Sequence, residues 1–86
     1  MVVLACCDME LLGKNLVDSR HDVTIDESFY GRQKVTGKEL AELLKEADSI
    51  NLFGKKAVGV ALKRGFLRQE DIIRILGIEH AIIMKV

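Results

Sequence analysis

The chain has 86 residues, 49% of them apolar, and 13 Lys plus Arg balance 13 Asp plus Glu, for a formal net charge of zero. That length implies one domain around one core, able to fold without disulfides or metal, and the zero charge excludes a long-range field that would gather polyanions. The charge is unevenly spread: residues 1–30 carry 2 basic and 6 acidic groups (−4), residues 31–68 carry 9 and 4 (+5), and residues 69–86 carry 2 and 3 (−1).

Met1-Val2-Val3-Leu4 begins directly as an apolar strand. No charged leader, secretory apolar region or run near the ~18 residues of a membrane span precedes or follows it, which predicts a cytoplasmic protein with no membrane partner. Val2 to Cys7 reads as the first strand. Cys6 and Cys7 are adjacent, which suits neither a disulfide framework nor a metal knuckle, and on a strand they point to opposite faces. Asp8 offers an N-cap for one turn, Met9 to Leu12, ended by Gly13. Leu16 and Val17, the polar turn Asp18-Ser19-Arg20, and Val23 and Ile25 alternating with polar residues predict a β-hairpin. Glu27 to Gly31 reads as a loop holding Phe29 and Tyr30.

The central stretch, Thr36 to Gly65, predicts two helices. Thr36-Gly37-Lys38-Glu39 is a capping box, and Leu40, Leu43, Leu44 and Ala47 form one apolar stripe on a helix from Lys38 to Ala47. Asp48 to Gly54 reads as a short connector to a second helix, Lys55 to Arg64, with Phe53 spaced to staple onto Val58 and Gly65-Phe66 as its C-terminal stop. Gly59 inside that helix marks either a close backbone approach or simple tolerance. From Ile72 to Val86, 10 of 15 residues are apolar. β-branching assigns Ile72 to Leu76 to a strand, with a turn at Gly77 and a last strand from about His80 to Val86. The product is an α+β domain: a mostly antiparallel sheet of about four or five strands with the two central helices on one face.

Catalytic and metal motifs fail on spacing. A phosphate loop needs glycine where Ser49 stands and Ser or Thr where Lys56 stands. Ser28, Tyr30, His21 and His80 supply reactive group types, but no motif fixes them together. Two adjacent cysteines and two distant histidines do not suit tetrahedral zinc. We therefore expect no catalytic residue, no metal and no cofactor. Two weaker signals remain. Free amides at the start of the second helix beside Lys55 and Lys56 can receive an anion. Phe29-Tyr30-Gly31-Arg32-Gln33-Lys34 sets aromatic and basic side chains together, a pairing that suits single-stranded RNA.

Cys7-Asp8-Met9-Glu10-Leu11-Leu12-Gly13-Lys14, Glu27-Ser28-Phe29-Tyr30-Gly31, Ser49-Ile50-Asn51-Leu52-Phe53-Gly54 and Glu79-His80-Ala81 resemble, in order and spacing, the archaeal domain of unknown function 424 family over nearly the whole chain. The resemblance implies a cytoplasmic archaeal protein without established activity, for which RNA-binding or translation-linked roles have been suggested. It also implies two departures. Relatives often have another short strand before the first one here, and a Gly-Pro-rich turn before His80 where this chain has Leu76-Gly77-Ile78-Glu79. The shorter N-terminus leads us to expect an open sheet edge and with it a route to self-association.

The leading expectation is a non-enzymatic module that binds RNA or a ribonucleoprotein in translation through Tyr30, Arg32, Lys34, Lys55 and Lys56. The second is a protein-interaction or homodimer-forming subunit that uses the apolar C-terminal strand within Ile72 to Val86. The third is a small-molecule enzyme, which requires Ser28, Tyr30 and His80 to converge on one pocket.

Overall fold

The computed structural model describes residues 1–31 and 33–85. Its main sheet has four strands in the order β1-β4-β6-β5: β1 (Val3–Cys7) pairs parallel with β4 (Ser49–Phe53), β4 pairs antiparallel with β6 (Ile78–Met84), and β6 pairs antiparallel with β5 (Ile73–Ile75). A separate two-stranded sheet is the hairpin β2 (Asn15–Val17) and β3 (Asp22–Thr24). The described residues also form three α-helices, α1 (Glu27–Tyr30), α2 (Gly37–Glu46) and α3 (Lys55–Lys63), and two 3-10 turns, Met9–Leu11 and Gln69–Asp71. This is the α+β class expected.

The sheet divides the core by strand alternation. Ile50 and Leu52 of β4, with Ala81 of β6, point to the face covered by α2 and α3, where they meet Leu40, Leu44, Val58 and Ala61. Phe53 points the other way and packs with Leu11, Leu16, Ile25 and Ile75 beneath the hairpin. Hence the staple expected between Phe53 and Val58 is not made, because the two side chains lie on opposite sides of the sheet. Cys6 and Cys7 likewise divide between the two clusters, as alternation requires.

Local sequence explains most boundaries. In α2, the Thr36 hydroxyl accepts from the Glu39 amide at 3.1 Å and the Glu39 carboxylate accepts from the Thr36 amide at 2.9 Å, the capping box read from the sequence. Its other end is closed from far away, because the Lys85 ammonium donates to the Leu44 and Lys45 carbonyls. The α3 stop also forms: Phe66 N–H reaches Ala61 O and Gly65 N–H reaches Leu62 O, the paired bonds of a Schellman motif.

Two segments differ from expectation. Asp48 to Gly54 is not a connector. Within it Ser49–Phe53 is the strand β4, bonded on both sides by β1 and β6, so α2 and α3 are joined through the sheet. The alternation of Ile50 and Leu52 against Asn51 suits a strand with its two sides in different company. Glu27 to Gly31 is not an open loop either, because the Asp26 carboxylate accepts from the Ser28 amide at 2.9 Å and starts the short helix α1. The β5–β6 turn holds Leu76 and Gly77 at φ 53 and 77, the left-handed pair that tight hairpins use. The C-terminal strand runs two residues earlier than expected at its start, and Val86 lies outside the described residues.

Candidate functional site

Strand β1 lies at one edge of the sheet. In a parallel ladder the N–H and C=O of one residue point to the same side and alternate along the strand. Val2 O accepts from β4 and Asp8 N–H donates to Phe53 O, so the even-numbered residues of this segment face β4. Val3, Ala5 and Cys7 therefore present their backbone groups outward. Among the described residues no hydrogen bond reaches those groups.

This edge is recessed. Helix α1 lies over the hairpin face, where the Tyr30 hydroxyl donates to Asn51 Oδ1 at 2.7 Å and the Tyr30 ring meets Phe53 edge-on, centroids 5.8 Å apart. Helix α2 covers the opposite face. Gly31, Gln33, Lys34 and Val35 also line this edge, and the result is a groove of about 430 Å³. Its floor is β1, one wall is Phe29 and Tyr30, and the other is Leu40 and Leu43. Phe29 is 49% exposed and stands edge-on to Tyr30, centroids 5.0 Å apart. A smaller hollow of about 210 Å³ adjoins at the Cys7 end, sharing Cys6, Cys7, Val35 and Leu40 with the groove and reaching Lys56.

Burial controls the titratable groups here. It pushes the Tyr30 hydroxyl up to about 12, helped by Cys7. It raises the Cys6 thiol, with a smaller contribution from Asp8, and lifts Cys7 to about 11, with Cys6, Asp8 and Glu10 adding to the effect. Neither thiol is an activated nucleophile.

Asp8 does something other than cap the turn after it. The turn is present as a 3-10 segment, Met9–Leu11, without a side-chain cap. The Asp8 carboxylate, only 8% exposed, instead accepts from the amides of Lys56 at 3.0 Å and Ala57 at 2.8 Å, at the N-terminus of α3. The anion position expected there is filled by the protein itself, so those two amides are not free.

The residues nominated from sequence fall as follows. Tyr30 and Lys34 line the groove and Lys56 lines the adjoining hollow, while Lys55 is exposed at the start of α3. Arg32 lies outside the described residues. Ser28, Tyr30 and His80 do not converge. Phe53 stands between Tyr30 and His80, stacking on the His80 ring at 3.9 Å, and the Ser28 hydroxyl donates to Asp26. The C-terminal strand is not an edge, because β6 is flanked by β4 and β5. The other edge of the sheet is β5, also within Ile72 to Val86, and Ile82 and Met84 of β6 expose 59% and 63% of their surface. Sequence reasoning missed the distant reach of Asp8 and the groove along β1. An Asp directly after a strand, 46 residues before a Gly-Lys helix start, carries no local signal of such a contact.

A family model described as a protein of unknown function, DUF424, matches residues 1–86. The chain belongs to the DUF424 family. A solved structure similar to this DUF424 chain is that of an uncharacterized conserved protein from Methanopyrus kandleri, 26% identical, with a TM-score of 0.72 over 93% of this chain and 79% of that one. No curated protein matches the chain. Among the described residues of this DUF424 protein, no helix is long and apolar enough to cross a membrane, and no group of three or more His, Cys, Asp or Glu side chains could hold a metal ion.

Proposed function

We propose that this DUF424 protein is a non-enzymatic docking module whose working surface is the groove along β1, and that it receives an extended segment of another polypeptide. One observation carries the reading: an open strand edge forms the floor of an apolar groove walled by a helix from each face of the sheet. A strand added at such an edge gains main-chain hydrogen bonds, and the two walls read its alternate side chains.

Binding to RNA or a ribonucleoprotein in translation is the second reading. It is favoured by Lys34 in the groove and Lys56 in the hollow that adjoins it. Against it, the Tyr30 hydroxyl is bonded to Asn51 and its ring is held edge-on by Phe29 and Phe53, which leaves Phe29 as the exposed ring. The groove lining is mainly apolar, which suits a peptide better than a phosphodiester chain.

The test sets a displayed library of random peptides against a mixed single-stranded RNA pool, using wild type and Ala5→Pro. The Ala5 N–H points away from β4, so proline there blocks strand addition and leaves the native ladder intact. Selected peptides that bind wild type and not Ala5→Pro support docking. RNA binding that survives Ala5→Pro, falls with added salt and falls further in Lys34→Ala/Lys56→Ala would replace it with the nucleic-acid reading.

A further inference from the structure

We infer that the segment received by β1 is a short apolar strand of a partner protein carrying acidic residues beside its apolar run, and not a second copy of this chain. The inference rests on the reading of the β1 groove as a strand-docking site, and adds the chemistry of the occupant.

The walls set the apolar part. A strand lying on β1 sends alternate side chains to the two faces of the sheet. On one face they meet Leu40 and Leu43, and on the other Phe29. Both sets are therefore covered, and a strand covered on both faces reads as a continuous apolar run instead of an alternating one. β1 has five residues, which limits the run to about the same length.

The charges set the flank. Lys34 is the charged side chain among the described residues lining the groove, and Lys56 follows in the hollow at the Cys7 end. Asp8 lies there too, but its carboxylate is directed at the Lys56 and Ala57 amides. The carboxylate lining the hollow is thus turned inward, toward the positive end of α3. Although Glu10 also acts on Cys7 at this end, the charged side chains that line the depression and face outward are Lys34 and Lys56, which suit an acidic group on the incoming segment. The recess sets the source. A second copy could bring its own β1, which lies at the bottom of an identical groove between α1 and α2, so two such edges cannot meet. Or it could bring its other edge, β5, which is three residues long with Arg74 at its centre and does not supply a five-residue apolar run. A single extended segment can enter.

The experiment titrates the full chain with three labelled peptides that share a Val-Ile-Val-Ile-Val core and are flanked at both ends by Asp-Asp, Ser-Ser or Lys-Lys, read by fluorescence anisotropy at two ionic strengths. The expected result is a Kd about tenfold lower for the aspartate-flanked than for the lysine-flanked peptide, from a few partly screened charge contacts. That advantage shrinks at the higher salt and in Lys34→Ala/Lys56→Ala, and Ala5→Pro binds none of the three. Equal binding of all three peptides by wild type, lost in Ala5→Pro, overturns the acidic partner and leaves strand docking standing. Binding of none, or binding unchanged in Ala5→Pro, overturns both. Light scattering that finds a dimer of the free chain, dispersed by Ala5→Pro, identifies a second copy as the occupant and overturns the inference.

Discussion

Asp8 occupies the space a side chain at Gly54 would need: a Cβ placed on Gly54 would lie 2.4 Å from the Asp8 Cγ. Gly54 also has φ 107, a backbone setting that L side chains rarely adopt. The carboxylate that closes the α3 N-terminus and the glycine that starts the helix are therefore one device. Asp8→Ala should lower stability by about 1–2 kcal/mol, the range for loss of an N-terminal cap. Gly54→Ala should cost more than about 1 kcal/mol from its backbone conformation alone, with the collision added. In the double variant the collision is relieved and the strain remains, so the two losses add to less than their sum in urea unfolding.

Gly59 behaves oppositely. Nothing lies within 4 Å of a Cβ built there, and it sits inside α3 with no unusual φ. Of the two explanations open from sequence, tolerance is the right one. Gly59→Ala should stabilise the protein by about 0.5–1 kcal/mol through helix propensity and a less flexible unfolded chain, seen as a higher thermal midpoint.

His80 should make stability depend on mild acid. Its Nδ1–H donates to Leu52 O at 2.9 Å and its ring stacks on Phe53. Burial lowers its pKa, the Leu52 carbonyl partly offsets that, and the nearby His21 lowers it further. With the folded value below the unfolded one, the neutral ring's contribution is complete above about pH 6.5 and is lost as pH falls from there through the folded value. Wild type should therefore unfold at lower urea at pH 5 than at pH 7. His80→Gln, which keeps a donor and does not titrate, should show a smaller difference.

Tyr30 is the one tyrosine in a chain without tryptophan, so its ionisation can be followed directly by ultraviolet absorbance. The folded protein should show the phenol titrating near 12. Because that value lies above the ordinary 10, the stability tied to the neutral phenol is present below pH 10 and declines above it. Tyr30→Phe, which leaves Asn51 without its 2.7 Å partner, should cost about 0.5–1.5 kcal/mol.

The same burial protects the thiols. With Cys7 near 11, its thiolate fraction at mildly alkaline pH is about a hundredfold below that of a thiol at the ordinary 9, so iodoacetamide should label the folded chain far more slowly than the urea-unfolded chain.

What could be read from the sequence was what is local in it. The Thr36–Glu39 box, the Gly65-Phe66 stop and the turn at Gly77 are written within a few residues, and each formed, the last with Leu76 in the turn instead of the strand. Ser49–Phe53 was missed because a five-residue apolar segment between two strong helices has no period long enough to separate a buried strand from a linker. The basic residues were nominated from composition, and two of them, Lys34 and Lys56, with Tyr30, line the groove or the hollow beside it. The shape there depends on α1 and α2 reaching opposite faces around β1, and on Asp8 bonding across 48 residues to Lys56, neither of which has a neighbour-scale signature.

The parallel pairing of β1 with β4 joins residues far apart in the chain, Val3 with Ser49, while β5 and β6 meet across a tight turn. Closing the longer loop costs more entropy, so the segment from β4 to β6 can assemble before β1 slots into place. Among the described residues β1 is bonded to the sheet through β4 alone, so a strand added on its free side would hold it from both sides. If the groove receives a strand as proposed, occupancy should register as slowed hydrogen exchange at the β1 amides bonded to β4, those of Leu4 and Cys6, which the incoming segment never touches.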